Sequence, residues 1–246
     1  MLGNRTTVDP EEVRRFSARA DAWWNPEGSF RPLHELNPIR LGFIRQQLVA
    51  HFGRNVSSLR PFDGLSLLDI GCGGGLTAEP MSRLGFAVTG IDADAEAIAV
   101  ARTHSEGTGL PIEYRVGTAE SVAANGQSFD AVLALEVIEH VADPVRFIGC
   151  VGMLVKSGGV FIAATLNRTP RSFALAIIGA EYVLRWLPRG THDWRKFIRP
   201  SELVLGLRRH GFSPLELAGV SYDWAPREWM LSRDLEVNYM LAAVRR

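Results

Sequence analysis

Gly71, Gly73, Gly74 and Gly75 close the run LLDIGCGGG (67–75), at the end of an apolar stretch and the start of a helical one. Glycines packed so densely let a backbone turn sharply and approach a flat ligand with no Cβ in the way. A second apolar stretch ends seventeen residues past Gly75, at Asp92, where a carboxylate can accept two hydrogen bonds from a ribose diol. Counted from Gly73 the loop reads GxGxxA, ending on Ala78; counted from Gly71 it reads GxGxG, with Asp69 just before the turn. A carboxylate at Asp69 opposes a pyrophosphate and suits a cofactor that carries an ammonium group, which favours S-adenosylmethionine over NAD. Gly117, Thr118, Ala119 and Glu120 follow a third apolar run. There a loop could stack on an adenine and bond its amino group, or be an ordinary polar loop.

A second cluster, Glu136, Glu139 and His140, follows the fourth apolar run. If the chain turns helical there, spacings of three and four put the side chains on one face. Two carboxylates and an imidazole suit a hard divalent ion such as Mg²⁺ or Mn²⁺. The same residues also fit a polar helix start with His140 packed under the next loop. A third reading makes His140 a general base with Glu136 or Glu139 as its orienter.

The elements that must hold these groups are legible as a pattern. Apolar runs at 65–70, 86–92, 112–116, 129–135 and 160–165 alternate with helical stretches beginning near Leu76, Asp94 and Asp143. Continuous apolar strands separated by helices imply a parallel sheet covered on both faces. With two more strands near 214–220 and 235–244, after a helix at 201–210, the expected architecture is α/β. It is a doubly wound, mostly parallel sheet of about seven strands in one domain. Ahead of the core at 65–165 lies a helical cap over residues 1–60. Asp9, Pro10 and Glu12 are read as N-cap, N1 proline and capping-box acid of a helix to about Trp24. Asn37 and Pro38 open a second helix, with Ile39, Phe43, Ile44 and Leu48 on one face until Gly53. Residues 167–199 fit no strand and form an insertion before the sixth, and 200–246 supply the last helix and strands.

The 246 residues carry 27 Lys+Arg and 27 Asp+Glu, a net charge of zero, which argues against a surface that coats nucleic acid. An apolar share of 46% with 22% charged residues is that of a folded chain. Two cysteines, Cys72 and Cys150, argue against a disulfide framework or a Cys-rich zinc site and fit a reducing compartment. The start of the chain has no signal-peptide pattern, and the longest apolar run, Phe173 to Ala180, falls short of a membrane span. A cytoplasmic location is expected. The insertion is nonetheless basic, with Arg168, Arg171, Arg185, Arg189, Arg195, Lys196 and Arg199 against Glu181 and Asp193. Phe173, Ile177, Leu184 and Leu187 share a helical face there, near Tyr182, Trp186 and Trp194. That composition suits a helix lying on an anionic membrane surface, here the inner face of the cell membrane, or a lid over the pocket. His192 and Asp193 either border the site or cap the next turn.

LLDIGCGGG and VTGID make the chain resemble the class I S-adenosylmethionine-dependent methyltransferases, which implies their Rossmann-like fold. FSARADAWWNPEGSFRPLHELNPIRLGFI (16–44), LALEVIEHVADP (133–144), ATLNRTPRSFALAIIGAEYVLRWLPRGTHDW (164–194) and FIRPSEL (197–203) narrow the resemblance. Over nearly the whole chain it is to the bacterial O-methyltransferases of ubiquinone biosynthesis. That resemblance implies S-adenosylmethionine contacts at Arg40, Gly71, Asp92 and Leu135, and a magnesium site on Glu136, Glu139 and His140. It implies a polyprenylated phenol or catechol as substrate in both O-methylation steps, and a place in a complex of ubiquinone-biosynthesis proteins. Arg40 could fork onto the methionine carboxylate or be a surface arginine. Rival readings are a methyltransferase of the same fold for another small molecule, an NAD-dependent oxidoreductase, and a cofactor-binding module without catalysis.

Overall fold

The computed structural model describes residues 6–17, 22–175, 177, 193–223 and 228–246. Helices α1 (Pro10–Ser17) and α2 (Arg31–His51) precede the first strand. The core then runs β1 (Ser66–Ile70), α3 (Ala78–Arg83), β2 (Ala87–Asp92), α4 (Ala95–Thr108), β3 (Glu113–Val116), α5 (Ala119–Ala124) and β4 (Phe129–Leu135). A 3-10 turn (Ile138–His140) leads to α6 (Pro144–Leu154) and β5 (Val155–Leu166). One helical turn, α7 (Pro170–Ser172), a second 3-10 turn (Trp194–Lys196) and α8 (Pro200–Arg209) follow. The chain closes with β6 (Phe212–Asp223), β7 (Glu228–Ser232) and β8 (Asn238–Arg245).

The sheet order is β3-β2-β1-β4-β5-β8-β6-β7. Strands β1 to β5 pair in parallel, and β8, β6 and β7 are added antiparallel. Successive strand residues serve opposite faces, as a pleat requires. Leu68, Val132 and Phe161 pack with Phe147 and Val151 of α6. Their neighbours Leu67, Leu133 and Ile162 pack with Phe43, Ile44 and Leu48 of α2. β1 pairs with β2 on one side and β4 on the other, so the sheet grows in both directions from it. The carboxyl ends at such a switch point form the crevice in which open α/β sheets bind ligands.

Four expectations need correction. The sheet has eight strands: β7 pairs with β6 as a short edge hairpin whose Trp229 and Leu231 are half-buried between exposed Glu228 and Met230. α2 begins at Arg31 with Pro32 in its first turn, and Pro38 lies inside it. The proline removes one helical hydrogen bond, and burial of Phe43, Ile44 and Leu48 keeps the helix docked. Of the helix expected to run to about Trp24, α1 is described over Pro10–Ser17, residues 18–21 lie outside the described residues, and Trp23 and Trp24 stand in a turn. The segment after β3 is the helix α5, closed by a capping box in which Thr118 Oγ1 accepts from Ser121 N–H and Ser121 Oγ accepts from Thr118 N–H.

Candidate active site

A cavity of about 1200 Å³ runs along the carboxyl ends of the strands. Its floor passes from Asp69 and Gly71 after β1, through Asp92 after β2 and Glu120 after β3, to Leu135 and Glu136 after β4. Beyond β5, at Leu166, it continues to Val220, Tyr222 and Trp229 of the β6–β7 hairpin. Thr7, Asp9, Glu12, Trp23 and Arg40 close it from the amino-terminal side. Of the residues expected to form the site, Arg40, Asp69, Gly71, Asp92, Glu120, Leu135, Glu136 and His140 line this one cavity; Gly73 and Glu139 stand behind its wall.

The glycine loop is held from inside by Asp92, whose Oδ2 accepts from Gly73 N–H at 2.9 Å and whose Oδ1 accepts from Asp94 N–H at 2.9 Å. Burial raises the Asp92 pKa, and those two amides pull against the rise. Asp69 is 3% exposed, and its Oδ2 has no hydrogen-bond partner. Burial, and then the Asp92 charge, push its pKa up to about 7. The glycines are required by packing as well as by any ligand. A methyl group at Gly71 would stand 2.5 Å from Val137, and one at Gly73 would overlap the ring of Trp23. Gly71 and Gly73 have φ of 68° and 51°, the left-handed region open to glycine.

The trio is split, with the Glu136 and Glu139 carboxyls side by side and His140 turned away. Glu136 pairs with Arg40 through a short ion pair, and its φ of 56° puts a non-glycine residue in the left-handed region. That backbone costs on the order of 1–3 kcal/mol and survives only where its surroundings impose it; its N–H is fixed on Ala164 O at 2.9 Å. Glu139, 2% exposed, points into the core, where its Oε2 accepts from Thr165 Oγ1 at 2.9 Å and its Oε1 has no partner. Burial and then the neighbouring Glu136 hold its pKa well above the glutamate range. His140 turns the other way, its Nδ1 3.2 Å from Glu12 Oε2. Glu12 Oε1 in turn lies 3.4 Å from Lys196 Nζ, which also reaches Asp9 Oδ2 at 3.1 Å. Among the described residues no three His, Cys, Asp or Glu side chains are grouped so as to hold a metal ion. The magnesium site expected on Glu136, Glu139 and His140 therefore does not form as a three-donor set. The segment is a 3-10 turn rather than the start of an α-helix, with Glu136 before it in a left-handed kink, so His140 is turned toward Glu12 while the Glu136 and Glu139 carboxyls stay neighbours.

Residues 68–163 match the family described as a methyltransferase domain. The ubiquinone biosynthesis O-methyltransferase of Paramagnetospirillum magneticum is 54% identical over 97% of this chain and 96% of its own length. That of Dinoroseobacter shibae is 52% identical over 100% of this chain and 99% of its own. The chain belongs to the ubiquinone biosynthesis O-methyltransferase family. The fold is shared more widely. Magnesium protoporphyrin IX methyltransferase from Synechocystis, solved with bound S-adenosylhomocysteine, superposes with a TM-score of 0.65 at 18% identity, covering 96% of this chain and 94% of that one. A methyltransferase from Thermotoga maritima also gives 0.65, at 17% identity, with 96% and 99% covered.

In this member of the family, several pocket groups lie outside the motifs that draw attention in the sequence. Glu120 does not present both oxygens to a ligand, because its Oε1 accepts from Thr7 N–H at 2.6 Å. Burial pushes its pKa up, and hydrogen bonds from Thr7 and Thr118 together outweigh that, leaving the group below the usual glutamate value. Glu12, read as a helix-capping acid, is instead the carboxylate facing His140. Only its distance in sequence from His140 hid the pairing. Asp193 is a cap, accepting from Arg195 N–H at 3.0 Å. Trp23 and Trp24 belong to the family-like block at 16–44, yet nothing in their spacing ties them to the glycine loop. Residues 176 and 178–192 of the basic insertion, including Leu184, Leu187, Trp186 and His192, lie outside the described residues.

Proposed function

We propose that this O-methyltransferase binds S-adenosylmethionine at the β1–β3 end of the cavity and methylates a hydroxyl of a polyprenylated phenol or catechol, in both O-methylation steps of ubiquinone biosynthesis. The observation that carries the reading is the pair of buried carboxylates inside the glycine loop. Asp69 Oδ2 lacks a partner beside a site where Asp92 is held by two amides. An ammonium group satisfies Asp69, a ribose diol faces Asp92, and a pyrophosphate would meet two negative charges. NAD is disfavoured on that ground.

S-adenosylmethionine supplies an electrophilic methyl group on a sulfonium. The protein must then bring an oxygen nucleophile into line and manage its proton. A phenol with a pKa near that of tyrosine, about 10, is ionised to roughly one part in a thousand at pH 7. A base beside it therefore matters. His140 lines the cavity with Nδ1 directed at Glu12. A carboxylate on Nδ1 selects the tautomer whose Nε2 is an acceptor, and stabilises the imidazolium once Nε2 has taken the phenolic proton. Glu136 and Arg40 form the wall between the cofactor end and the hairpin end. No step is routed through a divalent ion, since His140 is engaged by Glu12 and the expected three-donor set is not assembled.

Contact with an anionic membrane surface is the second part of the proposal. No helix among the described residues is long and apolar enough to cross a membrane. Phe173 and Leu175, at the entrance to the insertion, are 43% and 51% exposed, and Leu175 lines the cavity. Apolar side chains at such a mouth suit a substrate whose tail stays in lipid. Incubation with methyl-labelled S-adenosylmethionine and a short-chain demethylubiquinol should label the quinol. Cofactor binding without label transfer would instead indicate a non-catalytic module. Sedimentation with cardiolipin-containing liposomes at low salt tests the membrane contact, and protein left in the supernatant would refute it.

A further inference from the structure

The aromatic pair between α1 and α2 takes no part in the mechanism above. The ring of Trp23 lies across the glycine loop: a methyl group at Gly74 would stand 2.6 Å from its Cβ and Cγ, and one at Gly73 would overlap the six-membered ring. The indole stacks on Phe30, with centroids 3.9 Å apart and planes 8° from parallel. Its main-chain carbonyl is bonded to His34 Nε2 at 2.8 Å. Trp24 fastens the same loop from outside, donating from Nε1 to Gly74 O at 3.0 Å. Its ring stacks on His104 with centroids 3.4 Å apart, and His104 Nδ1 lies 2.5 Å from Oε1 of fully buried Glu79. Trp23 is thus clamped in place, and it faces the cavity.

Trp23 Nε1 is buried and has no hydrogen-bond partner. A donor kept from both water and protein is costly unless a ligand completes it. The amino-acid end of S-adenosylmethionine presents an ammonium and a carboxylate. Asp69, two residues before Gly71, suits the ammonium, while the nearby cation Arg40 is engaged by Glu136. The indole whose six-membered ring covers Gly73 carries an unassigned donor, and the ligand's carboxylate complements it. We propose that the Trp23 indole N–H binds the carboxylate of the cofactor's methionine moiety. This makes Trp23 a cofactor-binding residue supplied from outside the sheet, and it rests on the S-adenosylmethionine reading above.

Calorimetry with two ligands tests it. S-adenosylhomocysteine carries the carboxylate; 5′-methylthioadenosine keeps the nucleoside and sulfur but lacks the amino-acid end. Trp23→Phe retains the stack on Phe30 and removes the N–H. It should weaken S-adenosylhomocysteine by roughly ten- to a hundredfold, the range for a hydrogen bond to a charged group, and leave methylthioadenosine within about twofold. Benzothienylalanine at position 23, which replaces only the N–H by sulfur, should reproduce the effect if the phenylalanine variant folds poorly. Equal weakening of both ligands would make the indole a cover and overturn the proposal, as would no weakening of either. Failure of the unmodified protein to bind either nucleoside would overturn the methyltransferase reading itself, a distinct result.

Discussion

Asp69 should make cofactor affinity depend on pH, with a size set by its environment. The carboxyl is buried beside Asp92 with one oxygen unpartnered, and its pKa stands at about 7. An ammonium placed against it favours the ionised form, so binding expels the proton that the free protein holds. With a pKa of about 7, roughly a tenth of Asp69 is ionised at pH 6 and nine tenths at pH 8, so affinity for S-adenosylhomocysteine should rise about tenfold across that interval. About 0.9 proton should be released per ligand bound at pH 6 and about 0.5 at pH 7, read from calorimetry in buffers of different ionisation enthalpy. The sign for the free protein is opposite. A folded pKa above the unfolded 3.8 means that stability from this group is intact at low pH and falls as pH rises from about 4 through 7. The full penalty is on the order of 4 kcal/mol. Asp69→Asn should therefore stabilise the free protein at pH 8, bind the ligand more weakly there, and lose the rise between pH 6 and 8. An affinity that climbs with pH as steeply in the asparagine variant as in the parent would refute this account of Asp69.

Three further outcomes follow from the same geometry. Burial and then the neighbouring Glu136 hold the Glu139 carboxyl well above the glutamate range, so Glu139→Gln should stabilise the protein at pH 7, with the gain fading toward pH 4; urea melts showing an equal gain at both pH values would contradict the burial argument. Gly73→Ala should displace the Trp23 ring and strain a positive-φ position, at a cost of about 1–3 kcal/mol, with red-shifted tryptophan emission as the readout; unchanged emission would mean the ring does not rest on the loop. Glu12→Gln should lower kcat by roughly ten- to a hundredfold with S-adenosylhomocysteine affinity intact, and any magnesium dependence of turnover should persist in His140→Ala; magnesium dependence abolished by that change would place the imidazole with the carboxylates.

Strands β1, β2, β4 and β5 could be read in advance because each is buried on both faces over most of its length and writes an apolar run between turn residues, while β3, at the sheet edge with only Tyr114 buried, was legible from its place in the alternation with helices. β7 could not, since an edge strand of five residues with alternating exposure resembles any amphipathic fragment. Pro38 read as a helix start because local rules make an interior proline expensive, while the gain that offsets it comes from Phe43, Ile44 and Leu48 meeting strands far along the chain. The site divides in the same way. Asp69, Gly71 and Asp92 are encoded within one βαβ unit, where spacing fixes geometry. The Glu12–His140 pair spans 128 positions and the Trp24–Gly74 bond spans 50, so no local pattern foretells them. The Glu136, Glu139 and His140 spacing was legible as a cluster, and the fold keeps the two carboxyls together while a distant residue, Glu12, draws His140 away.

These long-range pairs share a direction. Thr7 bonds Glu120 after β3, Val8 bridges Val141 beyond β4, Glu12 meets His140, and Trp24 grips Gly74 after β1. Thr7, Val8, Glu12 and Trp24 thus touch the segments that follow three strands, β1, β3 and β4. Most of these contacts are polar or stacking contacts at a cavity rim rather than apolar burial, so each contributes modestly and can be remade when a ligand enters. The sheet gives the cofactor end its carboxylates, which is chemistry common to the fold. The amino-terminal segment adds the indole over the loop and the carboxylate behind the imidazole, and those additions are what turn a nucleoside crevice into a closed site for transfer to an oxygen.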